Sequence, residues 1–295
     1  MRIGSNPVAE QVSRPTGQPY AGERSAGPAV WELPDATVEA LEEQGIQVEQ
    51  YYAELGHGQQ ELSVAPRPAL RAADTQILVR ETIRGVAARS GLVASLAAKP
   101  WPDQAGNGAH IHFSMWDGDG RRNLFHDPAG RYGLSRTAEQ FTAGVLEHAG
   151  AITAVVCPTV NSYKRMLPRG LMNEISWAPV YRAYGHNNRT LMCRLPMNRR
   201  CLELRIADSA CNFYLGAAIT LAAGLDGVAT VVSAPGGATT AAHLRADEIA
   251  AARVASPPAS EKAPTAIMTR GPMEVSAAST APVGLLDGGA HFGRG

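Results

Sequence analysis

A mixed α+β architecture is predicted by two observations. His110-Ile-His-Phe-Ser-Met-Trp116 and Cys201-Leu-Glu-Leu-Arg-Ile206 alternate polar and apolar residues with a period of two, the pattern of strands that rest one face on a core. Helix-length segments, chiefly residues 66–89, 135–149 and 213–225, lie between these and other strand-like runs.

Taken in order, residues 1–30 are rich in Gly, Pro, Ser and polar groups without a sustained period, the composition of a disordered or frayed arm. Asp35 is placed to cap a helix that carries Val38 and Leu41 on one face and ends at Gly45, and Ile46 to Tyr52 is β-prone. The helix over 66–89 stops at Gly91, and Leu92 to Ala97 reads as a buried strand ending at Lys99-Pro100. In the next strand His110, His112, Ser114 and Trp116 share one face, so both imidazoles point the same way. Asp117-Gly-Asp-Gly120 is a turn, and Leu191–Leu195 pairs with Cys201–Ile206 around Pro196–Arg200. Cys201, Glu203 and Arg205 then face away from Leu202, Leu204 and Ile206. A helix of small residues begins at Phe213, and residues 229–295 change to Ala, Pro, Ser, Thr and Gly, which predicts a mostly disordered tail.

The chain has 295 residues, 45% of them hydrophobic and 18% charged, enough to bury one large core or two modest ones in a soluble globular protein. Its 27 basic residues balance 27 acidic ones, which argues against a nucleic-acid or anionic-membrane partner. The longest apolar run, near Leu215 to Val232, is broken by Gly224, Asp226 and Gly227, so no membrane insertion is expected. Cys157, Cys193, Cys201 and Cys211 show no metal-finger spacing and read as reduced, buried thiols of a cytoplasmic protein.

Four polar clusters carry the candidate chemistry: Glu54 with Glu61, His110 with His112, Arg165 with Arg189 and Arg194, and Glu203 with Arg205. Carboxylates plus a histidine suit a hard divalent cation, and several arginines suit a polyphosphate or carboxylate held by two hydrogen bonds. Each cluster also has a plainer reading. A strand Glu-x-Arg pair is more often a structural ion pair, a strand histidine is more often a satisfied core residue, Lys164-Arg165 fits a solvated turn, and Gly106-Asn-Gly108 fits an ordinary tight turn.

Five ordered blocks decide between these readings. They are Glu54-x₄-Gln59-x-Glu61; Lys99-Pro100 with Gly106-Asn-Gly-Ala-His-Ile-His112; Asn161-Ser-Tyr-Lys-Arg165; Asn187-Asn-Arg189; and Glu203-Leu-Arg205 with Asn212-Phe-Tyr-Leu215. In order, they resemble the successive signature blocks of the glutamine synthetase superfamily over residues 31–228. The connection Met166–Asn187, with Trp177-Ala-Pro-Val180, is more similar to the divergent γ-glutamylamide branches. The resemblance implies a largely antiparallel curved sheet backed by helices. It further implies ATP-dependent ligation of glutamate's γ-carboxylate to ammonium or a small amine through γ-glutamyl phosphate, with Mg²⁺ or Mn²⁺ as cofactor. Glu54 and Glu61 would hold one metal, and His110 and Glu203 the other. Arg189 and Arg205 would contact phosphate, Arg165 the glutamate carboxylate, Gly106 the substrate, and His112 and Arg194 the nucleotide.

The same resemblance calls for parts that the sequence does not offer. An upstream Glu-x-Glu strand is not found among Glu10, Glu23 or Glu32, a β-grasp domain is expected to be absent, and Ala105 stands where the resemblance calls for an asparagine. Glu174 is the nearest candidate for a flap glutamate. The expectation is a ligase-type domain, or a non-catalytic homologue that binds MgATP or associates with full-length relatives. A homo-oligomer is the expected form of association.

Overall fold

The computed structural model describes residues 28–56, 58–102, 105–166, 177–230 and 283–287. The expected arm over 1–27 and most of the expected tail lie outside these residues, as does Glu174.

The elements are α1 (Pro28–Glu43), a hairpin of β1 (Val48–Ala53) and β2 (Gln60–Val64), α2 (Ala69–Arg89), β3 (Leu92–Leu96) and β4 (Ile111–Phe113). They continue with α3 (Arg136–Glu147), α4 (Ala149–Val156), α5 (Val160–Arg165), β5 (Tyr181–His186), β6 (Leu191–Leu195), β7 (Leu202–Leu204), α6 (Phe213–Ala229) and β8 (Val283–Asp287). Helix α1 starts well before Asp35 and carries Pro34 inside it, so Asp35 is not the cap that its side chain suggested. Pro28 opens the helix, where the amide it lacks has no partner anyway, whereas Pro34, seventh in the helix, removes one bond from the ladder. Ser135 does cap α3, accepting from the Ala138 amide at 3.2 Å, and Asn212 caps α6.

The four-stranded sheet runs β4-β7-β6-β5. Its β4–β7 and β6–β7 pairs are antiparallel and β5–β6 is parallel, so the sheet is largely antiparallel as expected, with one exception. Strand β4 is shorter than the alternation suggested, ending at Phe113, although Trp116 continues as a single bridge to Asn123. Beyond Thr230, the described residues Val283–Asp287 add a strand antiparallel to β3.

Two apolar clusters form. One packs Ile111, Phe113, Leu202 and Leu204 of the sheet against Phe141, Val145, Ile152 and Phe213 of the helices. The other joins Leu33 and Leu41 of α1, Leu62 and Val64 of β2, Val79, Ile83 and Val86 of α2, and Leu92 of β3. All four cysteines are buried and free. Helices α3 and α6 cross at two glycines: a Cβ on Gly144 would lie 2.1 Å from the Ala223 carbonyl oxygen, and one on Gly227 would lie 2.2 Å from that of Gln140. Backbone therefore meets backbone at this crossing. Arg199, in the β6–β7 loop, donates to Glu49 of β1 at 2.7 Å and ties the hairpin to the sheet. The site lies on the polar face that these strands share.

Candidate active site

Register explains why the polar residues meet. His112 of β4 and Arg194 of β6 are both Cα partners of Glu203 on β7, and facing partners on adjacent strands present their side chains to the same side. Glu203 is fully buried. Arg194 Nη1 donates to its Oε2 at 2.7 Å, Arg205 Nη1 donates to its Oε1, and His110 Nδ1 lies 3.3 Å from Oε1. Burial pushes the Glu203 carboxyl up, but Arg205, His112, His110 and Arg194 outweigh burial and hold it well below the usual carboxylate range. Glu203 is an anion throughout the physiological range.

Burial and the nearby Arg205 charge push the His110 imidazole well below its ordinary value, against the pull of Glu203. Burial also lowers His112 to about 4. Both rings are therefore neutral at neutral pH. His112 Nδ1 sits 3.3 Å from Cys201 Sγ, and its Nε2 is buried with no hydrogen-bond partner. Arg194 is fixed a second time by Asn187, whose Oδ1 accepts from Nε at 3.1 Å and from Nη2. Asn187 holds a left-handed conformation, φ 56°, at the turn between β5 and β6.

The β1–β2 hairpin brings Glu54 and Glu61 beside this cluster. Burial raises Glu54 to about 7, although the Leu55 amide donates to its Oε2 at 2.9 Å and Arg205 opposes the shift. Glu61 is driven well above the ordinary value by burial and then by Glu54, and its buried Oε1 has no partner. Two carboxyls that hold their protons in the fold and lose them in the unfolded chain destabilise the native state as pH rises. In chelator-treated protein, the stability of Glu61→Gln relative to the parent is expected to rise as pH rises from about 4.5 through about 7, measured by urea unfolding of both across pH, because His110 and His112 act alike in the two proteins and cancel in the difference. A difference that stays constant with pH would show that the pair is not coupled.

The loop between β3 and β4 is clamped from three sides. Gln59 Nε2 donates to Asn107 Oδ1, Asn107 Nδ2 donates to the Ala97 carbonyl at 3.2 Å, and Asn161 accepts from the Lys99 amide at 2.8 Å while donating to its carbonyl at 3.0 Å. Gly106 has no room for a side chain, because its Cβ would lie 2.7 Å from Arg165 Cγ. Arg165 is buried, with Nη2 donating to the Ile206 carbonyl and, at 3.1 Å, to that of Ala207. Arg189 stacks on Trp177, with Cζ 4.9 Å from the ring centroid.

A family model described as "Glutamine synthetase, catalytic domain" matches residues 10–267. The chain belongs to that family. The glutamine synthetase relatives include the glutamate–methylamine ligase of Methyloversatilis universalis, 43% identical over 192 residues that cover 64% of this chain and 42% of the relative. The glutamine synthetase of Mycolicibacterium smegmatis is 41% identical over 197 residues, 65% of this chain and 42% of that one. The chain thus spans about two fifths of the length of these relatives. A GmaS/ADP complex matches the fold with TM-score 0.67 and 35% identity, covering 80% of this chain and 56% of that one. A Plasmodium falciparum glutamine synthetase matches with TM-score 0.63 and 26% identity, covering 69% and 39%.

Within this glutamine synthetase domain the structure gathers His110, His112, Arg194, Glu203 and Arg205 by direct contact or register. Glu54, Glu61 and Arg189 stand within electrostatic reach of that group. Arg165 also stands within electrostatic reach of His110 and Arg205, packed against Gly106, with its guanidinium turned to main-chain carbonyls. Three things escaped the sequence: the Gln59–Asn107 link, the Asn187 support of Arg194, and the Trp177–Arg189 stack. Each is a side chain whose partner lies on a different strand or loop, which no spacing encodes.

For a divalent cation the residues fit in part. The Glu54–Glu61 pair suits one: two buried carboxyls repel each other, and an oxygen lacks a partner. Glu203 has both oxygens taken by arginines, and among the described residues no three His, Cys, Asp or Glu side chains group as a metal site. No helix among the described residues is long and apolar enough to cross a membrane.

Proposed function

We propose that this chain supplies the phosphoryl-transfer side of a glutamate–amine ligase site, which joins glutamate's γ-carboxylate to ammonium or a small amine with ATP as co-substrate. The observation that carries the reading is Glu203, a buried anion that fixes the guanidiniums of Arg194 and Arg205 beside a second pair of buried carboxyls.

The chemistry has two steps. A carboxylate oxygen of glutamate attacks the γ-phosphorus as ADP leaves, and the amine nitrogen then attacks the acyl carbon, losing a proton as phosphate departs. Charge spreads over the phosphoryl oxygens during the first step, so preset positive groups accelerate it without reorganising. Arg205 and Arg194 are such groups: Glu203 holds both, and Asn187 holds Arg194 again. Glu54 and Glu61 would hold Mg²⁺ or Mn²⁺, which when bound neutralises phosphate oxygens. His110, neutral and next to Glu203, would complete a second cation site only if an arginine released an oxygen of Glu203.

That last geometry favours a second reading, in which the chain binds MgATP without turnover. Titration calorimetry with MgATP and a hydroxamate assay with glutamate, hydroxylamine and MgATP separate the two. Binding together with γ-glutamyl hydroxamate formation that disappears in Arg205→Ala supports the ligase. Binding without hydroxamate supports the second reading, and no binding overturns both.

A further inference from the structure

Arg194 and Arg205 hydrogen-bond to the carboxylate of Glu203, and Arg189 joins them as a third cation within electrostatic range. Burial, followed by repulsion from Arg205 and Arg194, lowers Arg189 to about 9, with Glu203 only partly offsetting this. Holding a half-buried guanidinium beside two like charges costs free energy. The indole of Trp177, at the entry to β5, offsets part of that cost. The guanidinium carbon of Arg189 stands 4.9 Å from its ring centroid, inside the cation–π range. Trp177 itself is 39% exposed, so its role is not that of a core side chain.

We propose that Trp177 is a positioning residue for phosphate binding: its ring face holds Arg189 in the site, and stacking through the face makes no use of the in-plane N–H groups that an incoming phosphate would take. A phosphate would then meet a third guanidinium already in place rather than one that must be gathered. This inference rests on the proposed ligase function and on the phosphate contact that the family resemblance implies for Arg189.

The test compares Trp177→Leu, Trp177→Phe, Arg189→Ala and the double variant Trp177→Leu/Arg189→Ala by titration calorimetry, with MgATP and with adenosine, which has no phosphates. Trp177→Leu is expected to weaken MgATP binding by about fivefold to tenfold, with adenosine binding unchanged. Trp177→Phe, which keeps a π face, should stay within about twofold of the parent. The double variant should bind MgATP no more weakly than Arg189→Ala alone, because one effect acts through the other. Three outcomes overturn the inference. If Trp177→Leu matches the parent while Arg189→Ala is weakened, Trp177 does not position Arg189, and Arg189 keeps its role. If Arg189→Ala matches the parent, the phosphate role of Arg189 falls and this inference falls with it. If Trp177→Leu weakens adenosine and MgATP alike, the tryptophan serves the fold or the nucleoside rather than the phosphates.

Discussion

Glu203→Gln is expected to lower unfolding free energy by about 3–5 kcal/mol, the usual cost of removing one partner from a buried ionic group. The glutamine keeps nearly the same volume, so no cavity opens, and what remains is Arg194 and Arg205 buried without their shared anion. Urea unfolding at neutral pH gives the value, and a loss below about 1 kcal/mol, the size of an exposed pair, would show that the arginines find other partners. The sign with pH is also fixed. A carboxyl whose folded value lies below its unfolded value contributes stability above the unfolded value, near 4.5, and loses it as pH falls toward the folded one. The gap between parent and variant should therefore be widest at neutral pH and close in acid. Glu54 and Glu61 act in the opposite sense over higher pH, while His110 and His112, held neutral in the fold, add stability as pH rises over much of the same window, so the parent-to-variant difference and not the parent's own curve isolates Glu203.

Gly144→Ala is expected to destabilise by about 3 kcal/mol or more, at the upper end of overpacking costs. On helix propensity alone the change would stabilise α3 by up to about 1 kcal/mol, so the sign of the measured effect decides which term rules. The crossing says the contact rules, because the added methyl would meet the Ala223 carbonyl oxygen at 2.1 Å and the Gly227 amide nitrogen at 2.7 Å. Those are main-chain atoms, and no side-chain rotation relieves them. Thermal or urea unfolding of Gly144→Ala reads the effect, and a stabilised variant would mean that α3 and α6 separate at little cost. Gly85, in α2, has nothing within 4 Å of an added Cβ, so Gly85→Ala is the matched control.

The sequence showed the strands that rest on a core with one polar face. His110 with His112, and Glu203 with Arg205, fell on common faces because a period of two is written in the residues themselves. What sets Glu203 opposite both His112 and Arg194 is register, and register depends on loop lengths and packing that alternation does not encode. Strand β5, Tyr-Arg-Ala-Tyr-Gly-His, carries a glycine and no clean alternation, and its parallel pairing with β6 depends on the turn at Asn187. Helix α4, Ala149–Val156, is apolar nearly all round and so has no period to read, and α5 is a single short turn and a half. The carboxyl pair at Glu54 and Glu61 was visible as residue types, but not the missing partner of Glu61 Oε1.

The hairpin that carries Glu54 and Glu61 lies early in the chain, and Arg205, which offsets part of the strain on both, lies far downstream. During synthesis at about 5–20 residues per second, the hairpin leaves the ribosome roughly seven to thirty seconds before Arg205 can reach it. For that interval the two acids have no counter-charge from the β7 segment, so the part of the burial cost that Arg205 offsets is unrelieved. The hairpin's acids are therefore made well before the strand that carries Arg205, and the site is complete only once β7 has been made.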